Sequence, residues 1–173
     1  MSEPAQDWCL RPAADTDEDL LHDIFASTWE SDSLTLPEPI LATHFLRIQH
    51  IAQERRFATR FPQLERYIVV SGGQPAGRLY VQRMDTSIEC VDITLLPEHR
   101  NHGLGTELIE TLFEEADLTG RRVTLQVPCD NRRAISLYEA LGFSMVAMDD
   151  QDRCYERTPR VREVGTCNSH STP

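Results

Sequence analysis

A glycine-containing turn between a strand and a helix is the feature that most restricts the fold of this chain. The segment Leu95–Thr106 reads Leu-Leu-Pro-Glu-His-Arg-Asn-His-Gly-Leu-Gly-Thr, and an apolar helical repeat follows it as far as Gly120. The first N–H groups of a helix lack internal partners, and the helix dipole adds about half a positive charge there. Glycines let the backbone approach an anion closely. The turn therefore predicts a diphosphate site.

The charge balance limits the partners. The chain has 17 basic and 28 acidic residues, a net charge of −11. Such a negative field repels polyanions, which excludes a generic nucleic-acid or anionic-membrane binder. An anion bound at the turn would instead meet peptide dipoles and the side chain of Arg100.

The periodicity of apolar residues predicts the element order β-α-α-β-β-β-α-β-α-β-β. The helices are expected after Thr16, between Pro39 and Pro62, between Gly103 and Gly120, and at Arg132–Leu141, with a loop over 30–38. The strands are expected at Trp8–Leu10, Tyr67–Val70, Ala76–Val81, Ile88–Leu96, Val123–Val127, Phe143–Met148 and Arg153–Arg157. Strands that alternate with helices in the second half predict a mixed α/β sheet with some parallel pairing.

The length of 173 residues suits one domain, which we expect over 1–157, followed by a mobile tail over 158–173. The second helix has an apolar face that we expect to be buried. That face is formed by Leu41, Phe45, Ile48 and Ala52. The start of the chain lacks the pattern of a signal peptide, and no apolar run is long enough to span a membrane. The five cysteines are scattered along the sequence. We therefore expect a reduced, cytoplasmic protein.

Three families use a turn of this kind. A P-loop requires a lysine after its last glycine, and none follows Gly105. A Rossmann fingerprint requires a third glycine where Leu108 stands, and it follows the first strand, whereas several strands precede this turn. The Arg-x-x-Gly-x-Gly pattern of Arg100, Gly103 and Gly105, after a strand ending near a proline, resembles the GNAT superfamily of acyl-CoA-dependent N-acetyltransferases.

A second segment strengthens this resemblance. The segment Asn131–Phe143 is similar to the family pattern Asn-x-x-Ala-x-x-Leu-Tyr-x-x-x-Gly-Phe. The resemblance extends over about residues 65–157. It implies a GNAT-like α/β fold: a mixed, mostly antiparallel sheet of about six to seven strands with a splayed parallel pair, flanked by about four helices.

The resemblance also implies a binding mode for acetyl-CoA in the cleft between the splayed strands. The diphosphate would meet the N–H groups of the turn, and the pantetheine amides would pair with the backbone of Leu95 and Leu96. Asn131 would lie beside the pantetheine arm, and Tyr138 would protonate the departing thiolate. The expected cofactor-binding residues are therefore Leu95, Leu96, Arg100, Asn101, His102, Gly103, Leu104, Gly105, Thr106 and Asn131.

A neutral amine must attack the thioester, so a proton acceptor is needed. Family members often draw this base from the strand before the turn, which favours Glu89 and then Asp92. Strand alternation puts residues 89 and 92 on opposite faces, although a bulge would reset that register. Some relatives use a glutamate in the next strand, where this chain has Gln126.

The predicted activity is acetyl transfer to a primary amine of a small molecule or a protein, and a homodimer is possible. The alternatives are a CoA-binding regulatory module without turnover and a nucleotide-binding oxidoreductase. We expect no metal, because His99 and His102 have no third ligand at suitable spacing.

Overall fold

The computed structural model of the protein describes residues 7–29 and 39–160. The helices are α1 (Glu18–Trp29), α2 (Pro39–Arg60), α3 (Leu104–Thr119) and α4 (Arg132–Ala140), with short 3₁₀ turns at Asp15–Asp17 and Pro97–His99. The strands are β1 (Trp8–Pro12), β2 (Leu64–Ser71), β3 (Gln74–Arg83), β4 (Ser87–Leu95), β5 (Arg122–Pro128), β6 (Ser144–Met148) and β7 (Asp152–Arg157). The predicted element order is confirmed, and the predicted loop over 30–38 lies outside the described residues.

The seven strands form one sheet in the order β1-β2-β3-β4-β5-β7-β6. Every neighbouring pair is antiparallel except β4 and β5, which are parallel. Their pairing begins at Ser87 opposite Arg122 and stops at Cys90 opposite Leu125. Beyond that point β4 continues to Leu95 without pairing with β5, so the two strands separate. The predicted mixed sheet with a splayed parallel pair is confirmed.

The apolar stripe of α3 packs on the face of the sheet that it shares with α4. The six apolar residues of the helical repeat before Gly120 are buried in the main core: Leu104, Leu108, Ile109, Leu112, Phe113 and Ala116. Gly120 ends the helix with φ of 70°, a left-handed conformation that glycine adopts without steric cost. This packing fixes where the first turn of α3 stands relative to the end of β4.

The expectation that the apolar face of α2 is buried is wrong. Leu41, Phe45 and Ile48 are 62%, 39% and 64% exposed, and Ala52 is also exposed. The helix instead turns His50 and a group of polar side chains toward the sheet. Hydrogen bonds and ion pairs with residues of β3 compensate this polar burial, so the helix docks through its less apolar side.

The predicted mobile tail begins at Thr158, but the described part of it is attached. The N–H of Arg160 donates to a carboxylate oxygen of Asp117 at 2.7 Å, and residues 161–173 lie outside the described residues. Within the described ranges, none of the helices has the length and hydropathy needed to cross a membrane. The four cysteines there, Cys9, Cys90, Cys129 and Cys154, are free thiols.

Candidate functional site

A cleft of about 1080 Å³ opens where β4 and β5 separate. Its walls come from the end of β4, the glycine turn, the first turns of α3 and one side of α4. Nine of the residues expected to act in binding or catalysis line it: Asp92, Leu95, Arg100, Asn101, Gly103, Gly105, Thr106, Asn131 and Tyr138. Glu89, Leu96, His102 and Leu104 are not among the lining residues.

The glycine turn presents free backbone donors to this cleft. Gly103 has φ of 90° and caps α3, and the first helical bond runs from the N–H of Glu107 to the Gly103 carbonyl at 3.1 Å. The N–H groups of residues 104–106 therefore have no acceptor within the helix. A Cβ placed on Gly105 would meet only the Cδ1 of Leu95, at 3.8 Å, so the backbone there is open to a ligand.

Arg100 connects the turn to two other elements. Its Nε donates to the Leu95 carbonyl at 2.7 Å, and its guanidinium also donates to the carbonyl and hydroxyl of Ser27, at 3.2 and 3.1 Å. Ser27 belongs to the last turn of α1, where a cation also interacts favourably with the helix dipole. Arg100 therefore holds the turn against β4 and α1 while it lines the cleft.

The backbone of β4 alternates between its two neighbours. The N–H of Leu96 donates to the Ala76 carbonyl at 2.9 Å, and the Leu96 carbonyl accepts from the N–H of His99 at 2.9 Å. Both Leu96 groups are thus engaged. Because alternate residues of an antiparallel strand bond to the same neighbour, the backbone groups of Ile93 and Leu95 face away from β3, toward the cleft.

Tyr138 reaches the cleft from the middle of α4. The residue is 8% exposed, and its ring packs edge-on against Phe143 with centroids 5.7 Å apart. Burial raises the pKa of Tyr138, and the nearby Cys90 and Asp92 raise it further. None of the described residues hydrogen-bonds to its hydroxyl, which leaves that group for a ligand in the cleft.

The start of α4 lies close to the glycine turn. The side-chain oxygen of Asn131 accepts from the N–H of Ala134 at 3.1 Å and so caps the helix. Arg132 and Arg133 both line the cleft, and Arg133 donates to the side-chain oxygen of Asn101 in the turn. Sequence reasoning did not single out these two arginines, although they are the first two residues of the expected helix.

A bulge decides the orientation of the two candidate bases. Asp92 pairs with Tyr80, but the next residue of β3, Val81, pairs with Cys90, so Val91 is an extra residue. In strict alternation the side chains of residues 89 and 92 would point to opposite faces of the sheet, and the extra residue places them on the same face. Glu89 and Asp92 therefore point to the same side of the sheet, the side that carries α1 and α2.

Asp92 is held by a buried cation. The Nε of Arg78 donates to its Oδ2 at 2.7 Å, and the Thr94 hydroxyl donates to the same oxygen at 3.1 Å. Arg78 is 1% exposed, and it also contacts Gln53 at 2.7 Å and Glu54 at 3.4 Å, both from α2. The arginine within the expected strand Ala76–Val81 was the available sequence signal for this network, and sequence reasoning missed it.

Glu89 lies in a different electrostatic environment. Burial raises its pKa above the ordinary value, and Arg60 at the end of α2 partly offsets this by lowering it. Arg60 also donates to the side-chain oxygen of Gln126 at 2.7 Å. Glu89 is thus a half-buried carboxylate with an elevated affinity for protons, whereas Asp92 is engaged in an ion pair.

The described ranges contain no group of three or more His, Cys, Asp and Glu side chains placed to share a metal ion.

Comparison with known proteins identifies the family. Residues 20–143 match the model of the Acetyltransferase (GNAT) family, so the chain belongs to this family. This confirms the predicted family and fold, and the predicted enzyme class, an acyltransferase, is that of the family.

Three similar proteins illustrate the relationship. The [ribosomal protein bS18]-alanine N-acetyltransferase of Escherichia coli (strain K12) is 33% identical over 95 residues, 53% of this chain and 63% of the relative. The match thus spans less than two thirds of that relative. The uncharacterized N-acetyltransferase YobR of Bacillus subtilis (strain 168) is 28% identical over 130 residues, 71% of this chain and 51% of the relative. A third similar protein is the PaiA N-acetyltransferase from Thermoplasma acidophilum, whose crystal structure was solved in complex with coenzyme A. The two structures align with a TM-score of 0.65 at 15% identity, over 87% of this chain and 98% of that one, so they share the fold.

Proposed function

We propose that this protein transfers the acetyl group of acetyl-CoA to a primary amine. The observation that carries this proposal is the row of free N–H groups at the start of α3, opened by Gly103 and Gly105 at one wall of the cleft. Two phosphoryl groups match such a row in charge and hydrogen-bonding capacity. The family membership supplies the thioester as the acyl donor.

The residues that would hold acetyl-CoA follow the cleft from the turn to α4. The N–H groups from Asn101 to Thr106, including those of His102 and Leu104, would bind the diphosphate. The free N–H of Leu95 would pair with the pantetheine arm, whereas its carbonyl accepts from Arg100 and both backbone groups of Leu96 are engaged in the protein. Asn131 lines the same passage. Arg100 would act chiefly by fixing the turn against β4 and α1.

Glu89 is the proposed general base, and Asp92 is the second candidate. Both lie on the face of β4 that carries α1 and α2, on the side of the sheet opposite α3 and α4. A base acts best when its pKa lies near the working pH, and burial moves the pKa of Glu89 in that direction. Since Glu89 is not a lining residue of the cleft, it would take the proton through an intervening water.

Tyr138 is the proposed general acid. Its hydroxyl carries a proton at neutral pH, because burial raises its pKa. It lines the cleft and has no competing partner among the described residues. Donation of this proton to the departing thiolate would assist cleavage of the thioester as negative charge develops on sulfur.

The proposed acceptor is a primary amine of a small molecule or a protein. The net charge of −11 favours a cationic acceptor through long-range attraction. The Escherichia coli relative acts on an alanine of a ribosomal protein, so the peptides in a substrate screen should include free N-terminal alanines. We further propose that the protein works in the cytoplasm.

A mass-spectrometric screen tests the proposal. Purified protein and acetyl-CoA would be incubated with polyamines, amino-acid derivatives, lysine peptides and peptides with free N-termini. We expect an acetylated product from at least one class, absent without protein. Tight CoA binding without any product would favour the regulatory module, and the absence of CoA binding would overturn the proposal altogether.

A further inference from the structure

The outward face of α2 carries an apolar row that the described chain contacts only at Phe45, through the ring of Trp29. Leu41, Phe45, Ile48 and Ala52 follow one another at steps of four, three and four residues, and all four are exposed. We call these four residues the α2 row. Steps that alternate between four and three residues are the spacing of the a and d positions of a heptad, through which one helix packs knobs-into-holes against another. A lone surface helix has no need of such a row, because its buried side already contacts the sheet.

We propose that the α2 row is the interface of a homodimer, in which α2 packs antiparallel against α2 of a second copy about a two-fold axis near Ile48. A closed two-fold interface must be self-complementary. With the axis at this position, Phe45 of each copy faces Ala52 of the other, so a large side chain meets a small one on both sides of the axis. Alternation of large and small residues allows facing layers to interdigitate.

The charges of α2 support a second copy as the occupant. Each molecule has a net charge of −11, so two copies can approach most easily through a face without carboxylates. Glu54 is the one acidic residue of α2, and it turns inward to Arg78 and Tyr80. The outward face therefore brings no carboxylate into the interface.

The same charges select the antiparallel arrangement. Arg55 and Arg56 are exposed at the C-terminal end of the α2 row. Parallel helices would bring the four arginines of two copies together. In the antiparallel pair they stand at opposite ends, about 20 Å apart at the 1.5 Å rise per residue of a helix, beyond the ~8 Å screening length at physiological ionic strength.

Trp29 supports the row from the side. Its ring packs edge-on against Phe45 with centroids 5.8 Å apart, which fixes the Phe45 side chain before any partner arrives. An interface residue that is already ordered loses less conformational entropy on association.

Analytical ultracentrifugation at increasing protein concentration, up to about 100 µM, tests the proposal. We expect a mass close to twice the 19.8 kDa of one chain for the unmodified protein. Ile48→Lys and, separately, Ala52→Lys should each shift the mass to that of one chain, because both introduce a charge beside the axis. Leu118→Lys is the matched control: this exposed leucine lies on α3, on the other side of the sheet, and its replacement should leave the dimer intact.

Two results would overturn the interface. One is a single-chain mass for the unmodified protein at every concentration, and the other is a dimer that survives both lysine substitutions. Thermal melting of each variant distinguishes lost association from lost folding, since Ile48 is already exposed in one chain. The mass measurement needs no acetyl-CoA, so its outcome is independent of the proposed activity.

Discussion

Glu89 and Asp92 face the same side of β4, although three positions separate them, because the extra residue Val91 bulges out of the pairing with β3. The bulge brings together two carboxylates with different environments. Asp92 is tied to the buried Arg78 at 2.7 Å, whereas Glu89 is half-buried with a raised pKa. Environments that differ in this way separate the roles of paired carboxylates, and here they favour Glu89 as the base.

Glu89→Gln should lower kcat/KM by about a hundredfold or more, the usual contribution of a general base. The base must be ionised to work, so the rate of the unmodified protein should fall as the pH drops through the raised pKa of Glu89. The Gln variant should lose this acidic limb of the profile. Initial rates measured across pH check both points, and an unchanged profile in the variant would assign the base elsewhere.

Arg60→Gln tests the carboxylate of Glu89 by changing a neighbouring charge. Arg60 lowers the pKa of Glu89, so its removal should move the acidic limb to higher pH without removing it. The pH profile of kcat/KM provides the measurement. If the acidic limb of the profile lies at the same pH in the variant and the unmodified protein, Arg60 does not affect the group that titrates there.

Tyr138→Phe should reduce kcat by about a hundredfold and leave CoA affinity nearly unchanged, because only the proton donor is removed. The hydroxyl makes no hydrogen bond to a described residue, and the ring contact with Phe143 is retained, so the fold should tolerate the change. Steady-state kinetics and calorimetric titration with CoA separate the two quantities. Normal turnover would exclude Tyr138 as the acid.

The sequence predicted the parts of the fold that depend on local patterns. The α3 stripe, the glycine turn and the splayed strands follow from apolar periodicity and from the conformational demands of Gly103 and Gly120. It did not reveal which side of α2 faces the sheet. That choice depends on Arg78, whose buried charge requires the polar partners Gln53 and Glu54 and so draws the polar side of the helix inward.

The sequence located some residues of the site but not the orientation of others. Residues that act through their backbone N–H groups, such as Gly105, can be located from motif spacing alone. The facing of Glu89 and Asp92 depends on one extra residue, Val91, whose effect is set by the pairing with β3 rather than by any local pattern.

Asp92→Ala should lower the free energy of unfolding by about 3 kcal/mol, because it leaves the charge of Arg78 buried without its main partner. The double variant Arg78→Met with Asp92→Leu should recover much of this loss, since apolar residues can replace a buried ion pair at little cost. Urea denaturation of the three proteins provides the measurement. Equal stability of the single and double variants would contradict this account.

Gly105→Glu should weaken CoA binding at least about a hundredfold, since a carboxylate beside the diphosphate costs several kcal/mol. Gly105→Ala should retain the fold, because its Cβ would lie 3.8 Å from the nearest protein atom outside the local chain. Calorimetric titration with CoA, with thermal melting as the folding control, distinguishes these effects. CoA affinity unchanged in the Glu variant would remove the diphosphate site from the turn.

Gly77→Ala tests how closely β3 must approach the strand that forms the cleft wall. Gly77 stands opposite Leu95, and a Cβ there would overlap the Thr94 carbonyl oxygen and lie 2.9 Å from the Leu95 Cα. The new methyl group must push β4 away, which should destabilise the protein by about 1–3 kcal/mol, the usual cost of overpacking. Leu95 presents its free N–H to the cleft, so the shift should also weaken CoA binding. Gly73→Ala, at a turn with no neighbouring atom within 4 Å, should leave that affinity unchanged. Urea denaturation and CoA titration of the two variants provide the comparison, and equal CoA affinities would show that the position of β4 does not depend on this contact.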